Sequence, residues 1–196
     1  MQSLDPTTLN PVNNPRLVFT SQSELVSDVI ELCEDGSFNQ DFDVSHMMTL
    51  TMPGLFNCQD PGGFRQIPVK DYMVKGTKIF FFSFVNINPQ AYQAMCQAVD
   101  SKLARPWWQK SYDWLQIVGQ AVGLKWLHFP GTDDCSEEGV REMKAMGPYL
   151  PNSDNALIQS INNQSNPQDV LNLCLKNTDT FSFDGLWSCR RDAIDI

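Results

Sequence analysis

Hydrophobic and polar positions alternate along this chain in segments that change period. Arg16 to Thr20 reads as a short strand. From Ser21 to Glu34 the apolar positions Leu25, Val26, Val29, Ile30, Leu32 and Cys33 recur at helical spacing, and Ser21 with Glu24 forms a capping box. Val44 to Thr51 is β-rich. Pro53-Gly54 is a turn, and Leu55 to Cys58 is the predicted returning strand of a hairpin. After the turn at Asp60-Pro61-Gly62-Gly63, Arg65 to Pro68 is extended and Val69 to Lys75 makes a helical turn. Lys78 to Val85 carries four phenylalanines and predicts a strand buried on both faces.

Helical periodicity then takes over. Pro89 to Leu103 opens on a proline at the first helical position and carries a stripe of Tyr92, Met95, Cys96 and Val99. Lys110 to Val122 also reads as helical. Cys135 to Met146 has Asp134 as its N-cap, Glu137 three residues later, and a stop at Gly147-Pro148. Pro148 to Asn166 reads as a polar loop, and Pro167 to Leu175 as a final short helix. Strand, helix, strands and helices in this order predict an α+β fold. The expected organisation is an extended arm over residues 1–15, a domain over 16–176 and a tail over 177–196.

At 196 residues, 42% of them apolar, the chain is long enough for a core of its own. The formal charge of −9, with no run of Lys and Arg, argues against a nucleic-acid partner. The longest apolar run is too short to span a bilayer. No basic start followed by an apolar stretch opens the chain, so no signal peptide is expected, and the expected location is cytoplasmic or virion-associated. The six cysteines show no paired metal spacing, so neither a metal nor another cofactor is expected.

The candidate chemistry centres on Cys135. A thiol at a helix N-terminus lies at the positive end of the peptide dipoles, which favours its thiolate. A buried structural cysteine is the plainer reading of the same position. Against strong activation, Asp133, Asp134, Glu137 and Glu138 crowd the sulfur with negative charge and raise a thiol pKa. A thiol nucleophile also needs a proton acceptor, and the chain offers two histidines. His46 begins a strand, which would hold it rigidly; His128 lies in a loop seven residues before Cys135. Spacing alone does not choose between them.

Several segments, in order, resemble the permuted papain-like cysteine hydrolases, circularly rearranged relatives of NlpC-type cell-wall peptidases. They are Arg16-Leu17-Val18-Phe19-Thr20 with the helix after it; Val44-Ser45-His46-Met47-Met48; Ser111-Tyr112-Asp113-Trp114; Asp134-Cys135-Ser136-Glu137-Glu138-Gly139-Val140; and Asn166-Pro167-Gln168-Asp169-Val170. The histidine strand precedes the cysteine helix, which is the permuted order. The resemblance implies a small antiparallel sheet packed against a central nucleophile helix. It implies a Cys135–His46 dyad that cleaves an amide bond in a peptide or acyl-amide substrate, with peptidoglycan stem peptides as the leading class and a bacteriophage as one source. Tyr112 is a further contributor by similarity. For the residue that orients His46, the following strand offers Asn57, with Gln59 as the alternative on the same face. The competing expectation is a non-enzymatic papain-like part of a virion or other assembly, with other proteins of the particle as its partners.

Overall fold

A computed structural model describes residues 4–21, 44–60, 62–74, 76–110, 135–163 and 165–188. Six strands pair into one antiparallel sheet: β1 (Arg16–Ser21), β2 (His46–Met52), β3 (Leu55–Asp60), β4 (Gly63–Pro68), β5 (Lys78–Phe84) and β6 (Phe181–Ser188). Their order across the sheet is β4-β3-β2-β1-β5-β6. Among the described residues the α-helices are α1 (Val69–Tyr72), α2 (Pro89–Leu103), α3 (Cys135–Met146), α4 (Asn152–Ser160) and α5 (Pro167–Lys176). The class is α+β, as the order of periodicities predicts. The predicted helix over 21–34 lies outside the described residues from Gln22 on, and most of the one over 110–122 does as well.

Because side chains alternate along a strand, the sheet carries two cores. One face holds Leu17, Phe19, Met47, Phe80, Phe82 and Phe84, packed against Met95 of α2, Val140, Met143 and Met146 of α3, Ile158 of α4 and Val170 and Leu171 of α5. The other face holds Val18, Met48, Leu50, Phe56, Cys58, Ile79 and Phe81, with Val69, Tyr72, Leu4, Leu9 and Trp187 over it. Phe19, Phe56, Phe80, Phe81 and Phe82 are fully buried. Each contributes roughly 1.5–3 kcal/mol on leaving water. β5 is therefore buried on both faces, which explains why its sequence reads as a continuous apolar run.

Two segments depart from the sequence reading. Asn152–Ser160 is a helix within the predicted polar loop. Its Ile158 is fully buried, and Asp154 at its start, also buried, accepts from the Thr180 hydroxyl at 3.0 Å and the Asn86 amide at 3.1 Å. Amide-rich composition hid the one buried apolar contact that matters. Phe181–Ser188, assigned above to a tail, is instead strand β6, paired with β5 from Phe84↔Phe181 to Lys78↔Ser188. A register shift at Phe81/Phe82, next to Gly185 at φ +152°, breaks the alternation that would have marked it as a strand.

Candidate active site

Helix α3 is fixed to the sheet by two contacts. Gly139 lies directly on Met47 of β2, and the Thr49 hydroxyl donates to Glu142 Oε2. Moving back along the helix from 142 to 139 therefore moves back along β2 from 49 to 47. Another turn toward the helix N-terminus reaches Cys135 beyond the start of β2, the end at which His46 stands. Cys135 is the first residue of the helix and is buried, with 4% of its surface exposed. Burial raises the Tyr72 pKa first, the charge and hydrogen bond of Cys58 next, and the charges of Asp60 and Cys135 after that.

His46 leaves β2 on the face opposite α3. It belongs with Met48 and Leu50, whereas Met47 and Thr49 meet the helix. Its Nε2 lies 3.0 Å from Cys58 Sγ, and the same sulfur lies 3.1 Å from Tyr72 Oη. The imidazole and the Tyr72 ring are stacked, 4° from parallel with centroids 6.2 Å apart. Thr20, the lateral neighbour of His46 on β1, keeps a buried hydroxyl without a hydrogen-bond partner. Dense packing disfavours the imidazolium and pushes the His46 pKa down to about 4, against a smaller upward pull from the Asp60 carboxylate. Burial pushes the Cys58 thiol up to about 12. At neutral pH the imidazole, the thiol and the phenol are thus all uncharged.

Beside Tyr72 an open cleft of about 390 Å³ is lined by Asp60, Arg65, Gln66, Asp71, Tyr72 and Val74 among others. Arg65 is ion-paired to Asp60 at 2.7 Å on its rim. The turn Trp107–Gln109 ends at Lys110, whose carbonyl accepts from Phe64 N at 2.8 Å and from Gln59 Nε2 at 2.9 Å. That leaves Trp107 and Trp108 exposed beside the β3–β4 hairpin.

The sequence-derived third residue is corrected by this geometry. Asn57 does not reach His46. Its Nδ2 donates to Thr49 and Thr51 Oγ1 at 3.0 and 2.9 Å, and its Oδ1 accepts from Gln66 Nε2 at 3.1 Å. Gln59 shares that face and is bound to Lys110. The residue that touches the imidazole is Cys58, with Tyr72 behind it. The local sequence pattern does not mark either residue, because the parity of β3 against β2 depends on a bulge between Leu50 and Met52. Tyr112, His128, Asp133 and Asp134 lie outside the described residues.

The acidic crowding expected around Cys135 is altered at Glu138. This side chain is buried and ion-paired to Lys102 Nζ at 3.0 Å and to Arg141 Nη1 at 2.8 Å. Lys102 itself is 1% exposed. Among the described residues no cluster of His, Cys, Asp and Glu is arranged to hold a metal ion, and no helix is long and apolar enough to cross a membrane. No family model matches the chain, and no curated protein or solved structure matches it.

Proposed function

We propose that this chain is a cysteine hydrolase of the permuted papain-like kind, with Cys135 as nucleophile and His46 as its base. The observation that carries the reading is the docking of α3 along β2. It directs the N-terminus of α3, with its thiol, toward the end of β2 at which His46 stands, while the imidazole itself leaves the strand on the opposite face. In the proposed reaction the Cys135 sulfur forms a bond to the carbonyl carbon of an amide while its proton passes to His46. The Cys135 backbone N–H donates to the oxyanion. Collapse breaks the C–N bond, the amine leaves with the proton from His46, and water then hydrolyses the thioester. The substrate class proposed is a peptide or acyl-amide, with peptidoglycan stem peptides first, consistent with a phage-borne enzyme. The test is turnover of wall-derived peptides and of generic peptide amides by the full chain, with Cys135→Ala as the inactive control. Absence of turnover on both substrate sets in the folded wild type rejects the reading.

A second reading is a non-catalytic domain serving as a structural or adaptor part of an assembly. It is favoured by the commitment of His46 Nε2 to Cys58 and by the face from which His46 leaves β2. Under this reading Cys135 behaves toward alkylating reagents as the buried Cys174 does, and Cys135→Ala changes no property except local packing.

A further inference from the structure

We infer that Cys58 and Tyr72 are positioning residues for His46: their hydrogen-bond chain holds Nε2 as the protonated nitrogen and leaves Nδ1 as the one that exchanges a proton. The inference rests on the reading of His46 as a base.

The ring is gripped from two sides. Cys58 Sγ is 3.0 Å from Nε2, and Tyr72 lies parallel to the imidazole while its Oη reaches the same sulfur at 3.1 Å. Cys58 is fully buried in the face formed by Val18, Leu50, Phe56, Val69 and Phe81, so its sulfur has no freedom to leave.

Three neutral groups in a row carry three mobile protons, one each on the ring, the sulfur and the phenol. They can be arranged in two directions. In one, the phenol donates to sulfur and the thiol donates to Nε2; the ring proton is then on Nδ1, and neither nitrogen has a free lone pair. In the other, Nε2–H donates to sulfur, the thiol donates to Tyr72 Oη, and Nδ1 is bare. Only the second arrangement leaves a base. It also turns the phenol hydrogen outward, and Tyr72 lines the cleft where solvent can accept it. Among the described residues, the charged pair Asp60 and Arg65 faces this hydrogen-bond chain. They lie on the cleft side. A thiol orients an imidazole without stabilising its positive charge, so the arrangement fixes geometry rather than basicity.

The test is nitrogen-15 and carbon-13 NMR of the full chain, with His46 assigned through His46→Gln. The wild type is expected to carry the ring proton on Nε2 at pH 7. Cys58→Ser keeps that tautomer, and Cys58→Ala and Tyr72→Phe each mix the two. Cys58→Asp places a carboxylate against the ring and moves its titration midpoint up by about 1–3 units. Should Cys58→Asp not fold, the serine and alanine pair decides by tautomer alone. An Nδ1–H tautomer in the wild type, or identical ring spectra in the serine and alanine variants, overturns the inference. If the tautomers behave as expected while no variant turns over any substrate, the inference about the ring holds and the hydrolase reading fails.

Discussion

The terminal methyl of Met47 occupies the space that a β-carbon on Gly139 would need, 2.7 Å from where that carbon would stand. This contact sets how closely α3 approaches β2. Replacing Gly139 with Ala gains about 1 kcal/mol of helix propensity. It also overpacks a fully buried side chain, at a cost of about 1–3 kcal/mol. The expected net is a loss of about 1 kcal/mol and a Tm lower by about 2–4 °C. Denaturant melts of G139A, M47L and the double variant test this. The shorter reach of leucine should recover part of the loss, and strictly additive effects would mean that the two residues are not in contact.

Glu142 is buried beside Glu138, and its carboxyl is held well above the ordinary range, by burial first and the neighbouring carboxylate second. Its protonated form is therefore favoured, and it is bonded to Thr49. Glu142→Gln should match the wild type below about pH 4.5 and be the more stable of the two at pH 7. A raised folded-state pKa means stability that is present below the unfolded value and lost as pH rises above it, because the unfolded chain releases a proton that the folded chain keeps. A loss above about 2 kcal/mol at pH 7 would show that the carboxyl is ionised there.

His46 has the opposite linkage. Its folded-state midpoint of about 4 lies below the unfolded value near 6.5. The unfolded chain takes up a proton that the native chain refuses, so the contribution of His46 is intact above pH 6.5 and lost as pH falls toward 4. The loss is on the order of 3 kcal/mol over that window. Urea melts of wild type and His46→Gln between pH 7 and pH 4 measure it. Parallel pH dependences for the two proteins would contradict the depressed midpoint.

The cysteines separate by accessibility and ionisation. Cys58 and Cys174 are buried with raised pKa values, and Cys96 is partly exposed with a raised pKa. Under the hydrolase reading, iodoacetamide at pH 7.5 labels Cys135 at least about tenfold faster than Cys58 or Cys174. Peptide mapping over time reads the order. Equal rates at Cys135 and Cys174 favour the non-catalytic reading.

How much of this was legible beforehand follows from what each signal depends on. Pro89 opens α2 at its first position, with Asn88 capping it, and Leu103 ends it. Those are local signals, and the helix matches its predicted limits. The Val44–Thr51 and Leu55–Cys58 strands likewise follow from β-branched and apolar runs around Pro53-Gly54. The partner of His46 does not. In a regular two-residue hairpin, Met52↔Leu55 would put Asn57 opposite Leu50, on the histidine's face. The bulge makes Phe56 the partner of Leu50 instead. One inserted residue, Thr51, flips every side chain of β3 and exchanges Asn57 and Gln59 for Cys58. Tyr92 Oη donates to the Thr51 carbonyl at 2.9 Å, so a residue on α2 stabilises the bulge, a long-range cause that no local pattern encodes.

The pairing of Glu138 with Lys102 and Arg141 bears on the thiol one turn away. From composition, the first turn of α3 looked hostile to a thiolate. Two cations converging on a single carboxylate oxygen turn that part of the helix from a source of repulsion into a screen. Removing one of the two charges with Lys102→Met would leave Glu138 paired to Arg141 alone and weaken that screen. Under the hydrolase reading, the Cys135 sulfur would then hold its hydrogen more tightly than in the parent protein.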